Sequence, residues 1–149
     1  MTDDAPSHLD DAERAALRAR LEASRAALLA ALEGVTERDF TTNLGDGVTV
    51  VRLLAGLVAE EQTDVARLRG EAVTVATPER PLPPQVVHGL AGARYQTLRA
   101  LDAAGLSPEA ARALVAGIEA REQVAAERIR ARPQATPPPV IPVIQTPPA

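Results

Sequence analysis

The chain has no cysteine and no tryptophan, and only one tyrosine and one phenylalanine among 149 residues. Without cysteine there is no disulfide, no thiolate metal site and no thiol nucleophile. So few rings leave nothing for bases to stack on, which excludes that mode of single-strand recognition. An excess of basic charge is missing as well. Sixteen basic residues face twenty acidic ones, the net charge is -4, and the arginines alternate with acids instead of forming the stripe that a phosphate backbone requires. Nucleic acid is therefore not an expected partner. No apolar run approaches the roughly 18 residues of a membrane-spanning helix. The opening MTDDAPSHLDD is acidic and polar where a signal peptide is basic and then apolar. These features predict a cytoplasmic protein with no membrane partner. Catalytic signatures are missing too. No serine stands near a histidine in a nucleophile elbow, and LGDG lacks the length and the lysine of a phosphate loop. No cofactor is expected.

What is present is aliphatic. Hydrophobic residues make up 46% of the chain and are almost all Leu, Val, Ile and Ala, which pack at contacts between helices. The length suits a single core. Ala12 to Glu33 is rich in strong helix formers, with Ser7 or Asp10 as its cap, a stripe of Leu17, Leu21, Leu28 and Leu32, and Gly34 as its stop. Thr36 to Gly47 contains turn formers and the one phenylalanine, Phe40, expected to plug an end of the core. Thr49 caps a second helix, Val50 to Arg69, whose stripe is Val50, Leu53, Leu54, Leu57, Val65 and Leu68. Prolines 78, 81, 83 and 84 forbid a helix across Glu71 to Pro84, where Val73 and Val75 suggest a short extended run in an ordered crossover loop. A third helix follows to about Ala104, with Val86, Val87, Leu90, Thr97, Leu98 and Leu101 facing inward. Ser107 and Pro108 open a fourth, which runs to about Arg132 on Ala111, Leu114, Val115, Ile118, Ala125 and Ile129.

The expected fold is therefore all-α, a four-helix bundle with a long crossover loop. The domain spans residues 1 to 132, and a proline-rich C-terminal tail occupies 133 to 149. In that tail Val140, Ile141, Val143 and Ile144 are apolar enough to suggest docking in a groove. No internal repeat with a period of about 20 to 50 residues is visible.

Charges interrupt every apolar stripe. Glu61 and Asp64 fall within the second, Arg94 within the third and Glu122 within the fourth; Arg121 sits on the shoulder of the fourth and Arg25 on the margin of the first. Three acids balance three arginines. Since an unpaired buried charge is costly, one reading is an ion-paired layer that fixes helix register. Another is a polar pocket that takes a small polar ligand through Arg94. A third is a carboxylate site for a magnesium-like ion. His88 lies on the solvent side of its helix and His8 near the start, so neither supplies an imidazole to the interior.

Four segments, LEASRAALLAALEGVTERDF, GVTVVRLLAGLVAEEQ, AGARYQTLRAL and EAREQVAAERI, together resemble the DinB-like superfamily. The resemblance implies an up-down-down-up bundle, often homodimeric, with three histidine metal ligands in its metal-bearing members, some of them thiol-dependent transferases. Carried over by position, the ligand on the second helix falls on Gly56 and the pair on the fourth on Arg121 and Ala125, while Val48 stands where a tryptophan is usual. The implied function is that of a DinB-like bundle without its metal, acting as a small-ligand-binding or assembly protein. A divergent metal- or thiol-dependent transferase is the alternative. Val51 and Val58, on a flank of the second helix near Gly56, suggest a homodimer surface.

Overall fold

The computed structural model describes residues 8–73, 80–103 and 105–133. Within them the chain is all-helical: α1 (Asp11–Leu32), α2 (Glu37–Phe40), α3 (Val50–Leu68), α4 (Pro83–Leu101) and α5 (Pro108–Arg130). The ends follow local chemistry. Asp10, Thr36, Thr49 and Ser107 each accept a backbone N–H from three residues on, satisfying donors that have no partner inside the helix. α4 has no capping side chain and starts on two prolines, which bring no N–H to satisfy. Gly70, at φ +68°, closes α3 in a conformation that favours glycine.

Packing order follows from which residues meet. Along α1 and α5, Glu13, Arg20 and Ser24 contact Arg112, Glu119 and Glu122 in turn, so these helices run in the same direction. Val58 lies under Gly89 and Glu61 binds Arg94, so α3 and α4 do likewise. In contrast α1 and α4 are antiparallel, since Arg14, Arg18 and Arg25 reach the carbonyls of Leu101, Leu98 and Leu90. Asp64 meets Arg121 while Asp46 meets Arg128, which makes α3 and α5 antiparallel as well.

The apolar core comes in two parts. One gathers Leu28, Val50, Val51, Leu54, Leu57, Val86, Leu90, Ala125 and Ile129; the other gathers Leu9, Leu17, Leu21, Leu101, Ala111, Leu114, Val115 and Ile118. Phe40 is half-buried and packs on the first part, as expected of a plug. Leu9 is pinned to the start of α5 by a backbone bond from its N–H to the Leu106 carbonyl at 2.9 Å.

Several expectations need correcting. The segment from Thr36 to Gly47 is not all turn: Thr36 and Asp39 form a reciprocal capping box that winds one helical turn. The third and fourth predicted helices end early, at Leu101 and Arg130 rather than near 104 and 132. Val87 is 44% exposed instead of facing inward, whereas Leu32, Leu53, Leu68 and Leu98 are half-buried and pack against the core as expected. Val51, placed on a flank of the second helix, is buried in the core, and Val58 is half-buried against it. Asp10 is the cap of α1. Ser7, Val75, Pro78, Ala104 and the tail from 134 to 149, with its proposed docking segment, lie outside the described residues. Among the described residues no helix is long and apolar enough to cross a membrane.

Because Leu54 is fully buried and Leu29 half exposed, urea denaturation is expected to show a loss of about 2 to 5 kcal/mol for Leu54→Ala and about 0.5 kcal/mol or less for Leu29→Ala.

Candidate functional site

Between the two parts of the core lies a layer made of one charged residue from each long helix. Arg25 sits between Leu21 and Leu28 on α1, Glu61 between Leu57 and Val65 on α3, Arg94 between Leu90 and Leu101 on α4, and Glu122 between Ile118 and Ala125 on α5. Helical spacing puts Glu61, Arg94 and Glu122 on the apolar stripes of their helices and Arg25 at the margin of its own.

Each arginine grips both glutamates. Arg94 Nε donates to Glu61 Oε1 at 2.9 Å, and its Nη2 to Glu122 Oε1 at 2.7 Å. Arg25 Nε donates to Glu122 Oε2 at 2.8 Å, and its Nη2 to Glu61 Oε2 at 3.3 Å. The remaining terminal nitrogens reach carbonyls: Arg94 Nη1 donates to Leu21 at 2.8 Å, and Arg25 Nη1 to Leu90 at 3.0 Å. Two hydroxyls complete the ring, Thr97 donating to Glu61 Oε1 at 2.7 Å and Ser24 to Glu122 Oε1 at 3.0 Å. Glu61, Arg94, Thr97 and Glu122 are buried, and Arg25 is nearly so.

The ring has an internal twofold correspondence. Exchanging α1 with α4 and α3 with α5 carries Arg25 onto Arg94 and Glu122 onto Glu61. Leu21 and Leu90 are the residues four before each arginine, and each carbonyl is bonded by the arginine of the opposite helix. The same exchange swaps the two parts of the core, since Leu54 and Val115 each stand seven residues before a ring glutamate and belong to different parts. The correspondence is written in the chain as Gly56-Leu57-x-Ala59-x-Glu61-Gln62 and Gly117-Ile118-x-Ala120-x-Glu122-Gln123, with Leu-x-x-x-Arg at 21–25 and 90–94. The glutamates are 61 residues apart (122 minus 61) and the arginines 69 (94 minus 25), so the match is longer than a repeat of about 20 to 50 residues and its spacing is uneven.

Electrostatically the ring is neutral. Burial works against the charge on Arg94, but attraction and hydrogen bonds from Glu61 and Glu122 outweigh it and raise the pKa above the ordinary arginine value. No buried side-chain nitrogen or oxygen among the described residues lacks a partner. A ligand entering this layer would have to displace a carboxylate. The arrangement is that of an ion-paired layer, whose two arginines also present the planar fork that bidentate pairing needs.

Two of the six candidate residues stand elsewhere. Asp64 and Arg121 are half-buried and pair with each other, and Arg121 Nε also meets Glu60 at 3.0 Å. Asp64 is therefore not in the middle of the buried stripe, because Val65, next in sequence, takes the inward position. Sequence reading passed over Ser24 and Thr97 as ring members. For Thr97 the signal was there, since it lies three residues after Arg94 and on the same helix face; Ser24, next to Arg25 in the chain, had no such signal.

Outside the ring, α3 and α5 frame an open groove of about 470 Å³ lined by the apolar Leu53, Gly56, Leu57 and Ala125, the exposed Val124, and the charged Arg52, Glu60, Arg121 and Arg128. The three positions at which the DinB-like resemblance places ligands, Gly56, Arg121 and Ala125, all line it. Smaller grooves lie between α1 and α4, about 380 Å³, and between α1 and α5, about 310 Å³. Among the described residues no three histidines, cysteines or carboxylates are grouped to hold an ion. No family model, curated protein or solved structure matches the chain.

Arg94→Ala leaves two buried carboxylates with one arginine, so a loss of about 3 to 5 kcal/mol is expected in urea titration. Arg121→Ala, at a half-exposed pair, is expected to cost about 1 kcal/mol or less.

Proposed function

We propose that the chain is a DinB-like four-helix bundle in up-down-down-up order, and that it serves as a binding protein for a small polar ligand held in the groove between α3 and α5. The observation that carries the reading is the convergence of Gly56, Arg121 and Ala125 on that one groove. They come from two helices and were matched to the family by sequence position alone. The directions of the helices, with α1 and α5 running one way and α3 and α4 the other, support the same assignment.

The family's metal does not fit these residues. Glycine and alanine bring no donor, and a guanidinium is a cation with no lone pair to give. The site's own chemistry points elsewhere. A lining of apolar residues and arginines suits a ligand with an apolar body and an anionic head, the arginine fork engaging a carboxylate or phosphate. Arg121 is held in place by Glu60 and Asp64, and Arg128 by Asp46. The buried ring plays the supporting part: it ties the two helices that frame the groove to the rest of the fold through Glu61 and Glu122.

Rebuilding the family's donors tests the assignment. The variant carrying Gly56→His, Arg121→His and Ala125→His is expected to purify with, or take up, one equivalent of zinc or nickel, read by elemental analysis. A variant that folds and stays metal-free would refute the positional match, whereas stoichiometric metal in the unaltered protein would favour the transferase. For the ligand, straight-chain carboxylates from butyrate to dodecanoate are expected to raise the melting temperature of the unaltered protein but not that of Gly56→Leu. A Cβ at Gly56 meets no atom within 4 Å, so the leucine fills the groove without disturbing the helix.

A further inference from the structure

The ring of charges has two unlike ends, because its arginines come from α1 and α4 and its glutamates from α3 and α5. α1 packs chiefly on α5, and α4 on α3. The gap between α1 and α4 is bridged instead by long side chains, Arg25 reaching the Leu90 carbonyl and Arg94 the Leu21 carbonyl. The groove of about 380 Å³ left there is lined by both ring arginines and by neither glutamate. Elsewhere the ring shows a different face or none. The α3/α5 groove touches no ring member, and the α1/α5 groove meets Ser24 and Glu122 but no ring arginine.

The arginines have donors to spare. A guanidinium carries five N–H groups, and Arg25 and Arg94 each make three bonds, one from each nitrogen. Every terminal nitrogen thus keeps one N–H without an acceptor among the described residues. The exchange that carries Arg25 onto Arg94 also carries Leu29 onto Leu98, each four residues after its arginine, and all four line the groove. The groove therefore straddles the axis of the twofold correspondence.

Charge decides what fits. Glu61 and Glu122 already neutralise the two arginines, and Arg18 in the lining is paired with Asp102. Glu22, also in the lining, is exposed, has no ion pair among the described residues and repels an anion. An arriving ion would lose its hydration with no counter-ion free to match it, which is costly. A carbonyl oxygen brings two lone pairs and no charge. One such oxygen on the axis accepts from both arginines, while an alkyl arm on either side of it lies along Leu29 and Leu98.

We propose that the α1/α4 groove is a second binding site, for a small uncharged carbonyl compound whose oxygen accepts from Arg25 and Arg94. The ligand rests on the face of the ring and displaces neither carboxylate. The inference is independent of the reading of the α3/α5 groove.

Heptan-4-one, a symmetric ketone labelled with carbon-13 at its carbonyl, is the probe, titrated into the full-length protein and followed by NMR. Binding is expected to saturate and to shift the amides of Ala26 and Leu98, which belong to this groove, but not those of Gly56 and Val124 in the other. The carbonyl carbon is expected to move downfield of its value in water, since charged donors polarise it more strongly than water does. Apolar docking alone would move it upfield. Heptanoate is expected to bind at the Ala26 and Leu98 amides at least tenfold more weakly than the ketone. Ala26→Phe fills the groove from an exposed position and is expected to weaken ketone binding at least tenfold. An absence of saturation, an upfield shift, amide shifts centred on Gly56 and Val124, heptanoate binding as tightly as the ketone, or undiminished ketone binding by folded Ala26→Phe would each overturn the proposal. The two grooves are read at different amides, so this proposal and the carboxylate reading of the α3/α5 groove fail separately.

Discussion

Two arginines that each hold two glutamates are the constraint on which the rest of this structure depends. One member comes from each long helix, and both carboxylates and both guanidinium groups lie between two separate apolar clusters. Taking four charges out of water is expensive, and mutual attraction offsets it only when geometry and hydrogen bonding are nearly complete. Here they are, with the Leu21 and Leu90 carbonyls and the hydroxyls of Ser24 and Thr97 filling out the ring. Such a layer contributes register more than stability. Helices with stripes of Leu, Val and Ala slide past one another at little cost, whereas moving any one of them by a turn here would separate one charged residue of the ring from both its partners.

The twofold correspondence makes this constraint act equally on both ends of the fold. Each arginine bonds the carbonyl four residues before the other, so α1 and α4 are locked antiparallel at their midpoints. The glutamates tie α3 and α5 to this pair, each accepting from both arginines. The correspondence breaks outside the ring. Under the exchange Arg121 of α5 answers to Glu60 of α3, its own ion-pair partner, and the Arg20–Glu119 pair between α1 and α5 answers to the apolar contact of Gly89 with Val58 between α4 and α3. Departure from symmetry marks the surface on which the proposed binding rests.

Much of this was legible in the sequence, and what was not has physical reasons. The four long helices, their caps at Asp10, Thr49 and Ser107, and the inward charges at Glu61, Arg94 and Glu122 follow from spacing and capping chemistry alone. Arg25 was visible only as a margin residue, since a long side chain can reach a buried partner from a position its helix phase puts at the edge. Asp64 was misplaced for the converse reason: Glu61 and Asp64 are three residues apart and share a broad face, but only tertiary contacts decide which one the neighbouring helix covers. The helical turn at Glu37–Phe40 escaped because its signal, a capping box, spans only four residues. How the helices are ordered in space, and hence the groove, depends on long-range contacts that no local pattern encodes.

The direct test of the ring is a thermodynamic double-mutant cycle on Glu61 and Arg94, each replaced by methionine and followed by urea denaturation. Removing Arg94 alone strands a buried carboxylate; removing Glu61 as well leaves Arg25 and Glu122 as a balanced pair. The double variant is therefore expected to be more stable than Arg94→Met alone, with a coupling of about 1 to 3 kcal/mol. Additive losses, with the double variant weaker than either single one, would contradict the account.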